Sequence, residues 1–172
     1  MATDPSPKTV WRPMQLPDIV SVSKLAADIH PDFPESDDVL REKLSLFPRG
    51  CSMLMSGNEP AGYILSHPWT RGCPAPLDNL LGALPDEPDA FYIHDLALSP
   101  SARGLGMADK IVARTMALAH FLNFRIVALV SVGNAASFWQ RHGFSATRPS
   151  GAKDVLTKYG PDASYMERHL DP

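Results

Sequence analysis

Apolar and polar positions in the first part of the chain predict one strand and two helices. The segment from Val10 to Met14 has the composition of a short first strand. Between Pro17 and Ile29, apolar residues recur every three or four positions, as they do on one face of a helix. The same spacing predicts a second helix from Ser36 to Phe47, with Ser36 at its N-cap.

A hairpin and a long loop follow these elements. The apolar runs 51–55 and 61–65 flank Gly57-Asn58-Glu59-Pro60, whose residues favour a tight turn, and together they predict a β-hairpin. Residues 68–88 contain five prolines and keep no steady hydrophobic period except around 77–84. We expect an ordered loop there, with room for one short helix. Loops of this length in compact domains are often functional.

The second half of the chain alternates between strand and helix patterns. A helix is predicted over Leu105–Leu122, with so narrow a polar stripe that we expect it to be largely buried. A shorter helix is predicted over Asn134–His142, and Gly143 can end it with a positive φ. The predicted strands are Phe91–Leu98, Arg125–Val130, one that starts at Phe144, and Ala163–Leu170. This order of elements predicts an α/β domain on a mixed sheet.

Composition and charge narrow the classes of function. The chain has 172 residues, 44% of them hydrophobic and 20% charged, which fits one domain over 1–172, with 1–9 flexible and 68–90 as a Pro-rich loop. The net charge is −3, with acidic and basic residues interspersed, and the sequence has no strongly basic stripe to hold a nucleic acid. No segment suits a signal peptide or a membrane span, so we expect a cytoplasmic protein without a membrane partner. Cys51 and Cys73 are then expected to be free thiols.

A glycine-rich junction between a predicted strand and a predicted helix is the most informative segment. Leu98 ends the strand, Gly104 and Gly106 follow, and the long helix begins at once. Unpaired N–H groups at a helix N-terminus attract anions, and glycines let a phosphate approach the backbone. The dinucleotide-binding spacing fails because Asp109 stands at its third glycine, and no Gly-Lys-Ser/Thr follows for a P-loop. On the loop alone, a phosphate site and a plain strand–helix turn are equally open.

Several segments together resemble one known family. Arg103-Gly104-Leu105-Gly106-Met107-Ala108 fits the R/Q-x-x-G-x-G/A motif of the GNAT superfamily of acetyl-CoA-dependent N-acetyltransferases. The strand from Tyr92 to Pro100 resembles the fourth strand of that family, and Asn134 to Phe144 resembles its Asn…aromatic…Gly-Phe segment. Tyr159 to Met166 is similar to the end of some bacterial members. The resemblance implies a GNAT-like fold, with a mixed, mostly antiparallel sheet and helices on both faces.

The resemblance also implies that acetyl-CoA binds as co-substrate, without a metal. Backbone groups of the fourth strand would pair with the pantetheine arm, and N–H groups of the glycine loop would hold the pyrophosphate. Asn134 would bond the pantetheine, although its position suits a helix N-cap equally well. The residues implied in cofactor binding are Leu96, Ala97, Leu98, Arg103, Gly104, Leu105, Gly106, Met107, Ala108, Asn134, Ser137 and Phe138.

The implied reaction is transfer of an acetyl group to a primary amine, which attacks directly within a ternary complex. The N–H of Leu96 would polarise the thioester carbonyl. His94 and Asp95 are candidate bases for the amine, since an alkylammonium has a pKa of about 10.4. Because successive strand residues face opposite sides, we expect only one of them in the cleft. The alternatives are a hydrogen-bonded sheet histidine for His94 and an anchor for the acceptor or a neighbouring segment for Asp95.

The chain departs from the family at Trp139. Many relatives carry a tyrosine there, thought to protonate the leaving thiolate, and an indole cannot act as that acid. We expect Trp139, Tyr159 and Tyr165 on the acceptor side, with either tyrosine or a water as the acid, and Tyr165 alternatively a half-buried strand aromatic. The departure keeps open a second hypothesis, a non-catalytic acyl-CoA-binding module. The acceptor is expected to be a small-molecule or peptide amine, and a homodimer stays open.

Overall fold

One mixed sheet of seven strands organises the protein in the computed structural model, which describes residues 7–149 and 153–171. The spatial order of the strands is β1-β2-β3-β4-β5-β7-β6, and β4 and β5 are the parallel pair among antiparallel neighbours. They are β1 (Thr9–Pro13), β2 (Ser52–Ser56), β3 (Glu59–Trp69), β4 (Ala90–Leu98), β5 (Ile126–Ser131), β6 (Ser145–Ala146) and β7 (Ser164–His169). The helices are α1 (Ile19–Ile29), α2 (Asp37–Leu46), α3 (Met107–Phe121), α4 (Ala136–Arg141) and α5 (Lys153–Thr157).

Helices cover both faces of this sheet. On one face, Val22 of α1 and Leu40 and Leu44 of α2 join one buried cluster with Tyr63 and Leu65 of β3. On the other face, side chains of α3 and α4 are buried against β4 and β5, in a cluster that includes Ile111, Val112, Met116, Trp139, Phe91, Ile93, Val127 and Leu129. Burial of these apolar stripes holds the layers together. The predicted sheet with helices on both faces is confirmed.

The parallel strands β4 and β5 pair only over the first part of β4. Their register runs from Phe91 opposite Val127 to Ile93 opposite Leu129. Beyond Ile93, β4 continues to Leu98 beside β3, while β5 continues beside β7. Within the described residues, the later part of β4 therefore has a strand partner on its β3 side alone. Its free edge is where an extended ligand could hydrogen-bond to the backbone.

The expectation of a flexible N-terminus is wrong where it can be compared with the structure. Residues 1–6 lie outside the described part. The carbonyl of Lys8, however, accepts a hydrogen bond from the N–H of Gly57. Thr9 pairs with Ser56 in the sheet. The last residues of the predicted flexible segment are thus held by the β2–β3 hairpin.

Two predictions about the later helices are also wrong. The long helix α3 is amphipathic rather than largely buried: Ile111, Val112 and Met116 face the sheet, whereas the Phe121 side chain is 70% exposed. It lies on the outside of a single sheet, so only one of its faces is covered. The predicted helix from Asn134 begins instead at Ala136, because 133–135 form a 3-10 turn. The positive φ at Gly143 is confirmed, at 81°.

The Pro-rich stretch is a long connection between β3 and β4, and the short helix expected around 77–84 does not form. The N–H groups of Leu81 and Gly82 donate to the carboxylate of Glu42 at 2.7 and 2.8 Å instead of to carbonyls of their own segment. Asp78 has a positive φ of 50° and accepts a hydrogen bond from the N–H of Ser36. The loop is therefore anchored to α2 and its N-cap. Among the described residues, no helix is both long and apolar enough to cross a membrane.

Candidate active site

A β-bulge at His94 shapes the middle of β4. Leu65 pairs with Asp95 and the next residue of β3, Ser66, pairs with Ile93, so His94 is an extra residue in β4. A bulge interrupts the alternation of side chains along a strand. His94 and Asp95 consequently line the same cleft. The expectation that only one of them could do so is wrong, because it assumed regular alternation.

We call this cleft the histidine cleft and define it by His30, Glu35, His94 and Asp95, the titratable groups that form its polar side. It is narrow, with a volume of about 90 Å³. Much of its remaining wall is apolar or aromatic: Phe33, Leu77, Leu129, Val130, Val132, Trp139 and Tyr159. His30, Phe33 and Glu35 come from the end of α1 and the segment before α2, which carry no recognisable motif.

A buried ionic network lies on one side of the histidine cleft. Glu35 contacts His94 Nε2 at 2.7 Å and Lys43 Nζ at 3.4 Å, and all three side chains are less than a tenth exposed. Burial by itself raises the pKa of Glu35, but the charges and hydrogen bonds of His94 and Lys43 outweigh it and lower the pKa to about 2. Glu35 is thus a carboxylate at neutral pH, and it compensates the buried Lys43 ammonium.

A second group of contacts surrounds Asp95. The hydroxyl of Tyr63 donates a hydrogen bond to its carboxylate. His30 Nε2 lies 3.3 Å from the other carboxylate oxygen, close enough for an ion pair but not aligned as a hydrogen bond. Interaction with Asp95 raises the pKa of His30 above its usual value, although burial of the ring acts in the opposite direction. Burial, and then the charge of Asp95, raise the pKa of Tyr63 well above its usual value.

A second cleft, which we call the glycine-loop cleft, is defined by Arg103, Gly104, Gly106, Met107 and Ala108. Its volume of about 510 Å³ is within the usual range for ligand sites. Gly104 and Gly106 have φ values of 75° and 70°, and a Cβ atom on either would meet nothing within 4 Å.

The backbone of the glycine-loop cleft can receive an anion. Helix α3 begins directly after Gly106, and no side chain caps its first N–H groups. These N–H groups are at the positive end of the helix dipole. Arg103 and Arg141 also line the cleft. Arg141 lies within the segment from Asn134 to Phe144 but was not predicted as a site residue.

The two clefts meet where β4 and β5 diverge. Leu96, Ala135 and Trp139 line both of them. The Trp139 ring is 7% exposed and packs edge-on against Phe138 and Phe144. An anion-binding end and an end with titratable groups thus open onto one junction beside Leu96.

Some of the predicted cofactor-binding residues line the glycine-loop cleft, and others do not. Leu96, Leu98, Arg103, Gly104, Gly106, Met107, Ala108 and Phe138 line it. The Ala97 side chain is buried on the α1–α2 face instead, and Leu105, Asn134 and Ser137 are exposed beyond its walls. The alternative of Asn134 as an N-cap is wrong, because Ala135 occupies that position of α4.

The two predicted acceptor-side tyrosines lie in different places. Tyr159 lines the histidine cleft, and its hydroxyl donates to the carbonyl of Ala75 at 2.7 Å. Tyr165 does not line that cleft. It is buried in β7, where its hydroxyl accepts from the N–H of Gly72 and donates to Glu167. Burial raises the pKa of both phenols, and the alternative of a strand aromatic suits Tyr165.

A backbone site suited to an anion thus opens onto a cleft with titratable groups, an arrangement compatible with group transfer from a phosphorylated donor. The sequence profile described as the acetyltransferase (GNAT) family matches residues 19–144, from α1 through the glycine loop to Phe144. The chain belongs to this acetyltransferase family. No curated protein matches it. Within the described residues, no group of three or more His, Cys, Asp or Glu side chains could hold a metal ion.

Solved structures share the fold. Ard1 from Thermoplasma volcanium has a TM-score of 0.71 at 16% identity, covering 95% of this chain and 99% of that chain. Arabidopsis thaliana Naa50, solved with the bisubstrate analogue CoA-Ac-MVNAL, has a TM-score of 0.69 at 14% identity, covering 94% and 99%. The GNAT-like decarboxylase GphF, solved with isobutyryl-CoA, has a TM-score of 0.76 at 16% identity, covering 94% and 100%. At these identities the similarity concerns the fold.

Proposed function

We propose that this protein transfers an acetyl group from acetyl-CoA to a primary amine, which attacks the thioester directly in a ternary complex. The observation that carries the proposal is the junction at Leu96, where the glycine-loop cleft and the histidine cleft meet. Donor and acceptor would approach this junction from opposite ends. Holding two reactants together in this way removes much of the entropic barrier of a bimolecular reaction.

The glycine-loop cleft suits CoA. Its glycines leave open space where a pyrophosphate would contact the backbone, and the first N–H groups of α3 have no side-chain cap. Arg103 and Arg141 would add positive charge near the phosphates. The free edge of β4, from Leu96 to Leu98, would pair with the pantetheine amides like an added strand. Acetyl-CoA supplies an activated acyl group, since a thiol of pKa about 8.5 is a good leaving group.

Leu96 is the residue assigned to polarisation of the thioester. It lies at the junction and on the part of β4 that β5 no longer covers. Its N–H would donate to the carbonyl oxygen and stabilise the negative charge that develops there. Because a backbone donor is fixed by the sheet, it needs no reorganisation during the reaction.

His94 and Asp95 are the groups of β4 that face the acceptor. Asp95 is held by Tyr63 and lies beside His30, and its charge would attract an ammonium group. His94 contacts Glu35 through its Nε2 atom and is therefore part of the buried network. Trp139 is assigned a packing role at the junction and no proton transfer.

The acceptor is a small-molecule or peptide amine with a compact group beside its nitrogen. Because the histidine cleft has a small volume and a largely apolar wall, it would suit an acceptor whose group next to the reacting nitrogen is small and apolar. The peptide-containing analogue bound to Naa50 supports an amine at a peptide N-terminus as one acceptor to test. A cytoplasmic location and a homodimer stay predictions.

A panel of alkylamines and short peptides tests the proposal. Each is mixed with the protein and acetyl-CoA, and free CoA is measured with a thiol reagent. We expect amine-dependent release of CoA. A protein whose melting temperature rises with acetyl-CoA but which releases no CoA with any amine would instead be a non-catalytic acyl-CoA-binding module.

A further inference from the structure

We propose that His30 is the general base that takes the proton from the acceptor ammonium, and that Asp95 is its positioning residue. The inference rests on the proposed acetyl transfer, and it assigns the base to the end of α1 rather than to β4. It follows from the different surroundings of the two histidines in the histidine cleft, His30 and His94.

His30 combines a fixed position with access to the cleft. It is the C-cap of α1, where its backbone N–H donates to the carbonyl of Ala26 at 2.8 Å. Its side chain is 25% exposed, although Nε2 itself is buried and lies 3.3 Å from Asp95. The exposed part of the ring is therefore the part away from Nε2. With the proton on Nε2, the nitrogen nearer the carboxylate, Nδ1 is left as the basic nitrogen.

Asp95 is suited to orient this ring and to stabilise its charged form. Its carboxylate is fixed by Tyr63, a fully buried residue of the neighbouring strand. A carboxylate on one ring nitrogen sets the tautomer and favours a proton on the other. His30 Nε2 and the Asp95 carboxylate are not aligned as a hydrogen bond in the structure without substrate. Catalytic hydrogen bonds often become aligned only when substrate binds.

Some of the groups around His30 raise its pKa and others lower it. Asp95 and the backbone of Leu96 raise its pKa, while burial and the charge of Arg103 lower it, and the balance is a raised pKa. Glu35, His94 and Tyr159 are the other titratable groups in the cleft. Tyr63 acts through its bond to Asp95. With this raised pKa, His30 is a stronger base than an isolated histidine.

His94 is the weaker candidate for the same role. Its side chain is 1% exposed, and its Nε2 contacts Glu35, which is already bound to Lys43. Its Nδ1 is buried without a hydrogen-bond partner in the described structure. A proton moved to this ring would therefore enter a buried network instead of returning to solvent.

The proton balance of the step is complete with these groups. One proton passes from the ammonium nitrogen to Nδ1 of His30 and then to solvent. The neutral amine attacks the carbonyl carbon, the C–N bond forms and the C–S bond breaks with its electron pair on sulfur. The nitrogen then loses a second proton, which ends on the thiolate, directly or through water. The products are the acetamide, the CoA thiol and one proton in solvent.

The decisive experiment compares two kinds of nucleophile in the His30→Gln variant. The first is the best alkylamine from the acceptor panel, which is chiefly ammonium at pH 7 because its pKa is about 10.4. The second is the matching O-alkylhydroxylamine, whose conjugate acid is much stronger than an alkylammonium, so it is neutral at pH 7 and needs no base before attack. We expect His30→Gln to lose about 10²–10⁴-fold in kcat/KM with the alkylamine and much less with the O-alkylhydroxylamine. A merely structural role would lower both rates alike.

Controls and a second variant keep the outcome clear. His120→Gln changes an exposed histidine of α3 and should match the parent with both nucleophiles. Asp95→Asn should shift the acid limb of the kcat profile to lower pH, because removal of the carboxylate lowers the pKa of His30. Equal losses with both nucleophiles, or a parent-like rate and pH profile in His30→Gln, would overturn this proposal alone. A parent protein that acetylates neither amines nor O-alkylhydroxylamines would contradict the proposed acetyl transfer as well.

Discussion

Glu35 Oε1 and His94 Nε2 lie 2.7 Å apart, although 59 residues separate them in the sequence. The contact joins the segment before α2 to the bulge of β4. Lys43 of α2 completes the network from the other side of Glu35. The same residues that fix one wall of the histidine cleft therefore also fix α2 on the sheet.

Replacement of Glu35 by glutamine should destabilise the protein strongly. Lys43 would lose the partner for its buried charge, and breaking a buried pair costs about 3–5 kcal/mol of unfolding free energy. Urea unfolding at pH 7 measures the difference. Glu59→Gln, which changes an exposed glutamate of β3, is the control and should be neutral. Equal stability of Glu35→Gln and the parent would show that the network contributes nothing.

The contribution of Glu35 should also depend on pH. Its folded pKa of about 2 is below the ordinary value of 4.5, so its stabilisation is fully present above pH 4.5. It is lost as the pH falls toward 2. Unfolding free energies of the parent and Glu35→Gln should therefore converge over this range. If the unfolding free energies of the two proteins differed by the same amount at pH 6 and at pH 2, the negative charge assigned to Glu35 would be contradicted.

A charge placed in the glycine loop should abolish binding of acetyl-CoA. Gly104→Asp puts a carboxylate into the open space beside the N–H groups of α3. Gly104→Asn is the matched variant, because it has the same size and the same cost at a positive φ but no charge. Thermal melts with saturating acetyl-CoA should show a rise for the parent, a smaller rise for Gly104→Asn and none for Gly104→Asp. Equal rises in all three proteins would place the pyrophosphate elsewhere.

Trp139→Phe should keep turnover within about tenfold of the parent, which is a barrier change of about 1.4 kcal/mol or less. Phenylalanine retains an aromatic ring against Phe138 and Phe144, and the lost indole N–H has no assigned proton to move. Steady-state kinetics with acetyl-CoA and the panel amine provide the comparison. A folded Trp139→Phe protein without turnover would mean that the indole itself positions a reacting group.

His94→Gln should affect stability more than the pH dependence of the reaction. The variant removes the buried imidazole that contacts Glu35, so a lower denaturation midpoint is expected. The acid limb of the kcat profile should stay in place, because His30 and Asp95 are unchanged. Loss of that limb in His94→Gln would instead identify His94 of β4 as the general base.

The local sequence was sufficient to predict the geometry of the glycine loop and much of the fold. Gly104 and Gly106 between a strand and a helix determine where N–H groups are free, and this depends only on neighbouring residues. The amphipathic pattern of α1 and α2 and the turn before β3 were equally local. These features could be predicted because the chemistry and the geometry come from the same short segment.

The acceptor end could not be predicted in the same way. The bulge at His94 depends on the register between β3 and β4, and regular alternation gave the wrong orientation for Asp95. His30 and Glu35 reach the cleft only through the packing of α1 and α2 on the sheet. Neither follows a motif, so their sequence positions carried no signal. Long-range packing, rather than local pattern, assembles this part of the site.

Quantification of both products in one reaction tests the central claim most directly. The protein is incubated with acetyl-CoA, with and without the panel amine, and free CoA and acetylated amine are measured by mass spectrometry. Direct transfer in a ternary complex predicts one acetylated amine per CoA released, no release beyond background without amine, and no acetyl group on the protein. Release of CoA without an acetylated amine, or a protein that gains an acetyl group from acetyl-CoA alone, would contradict it.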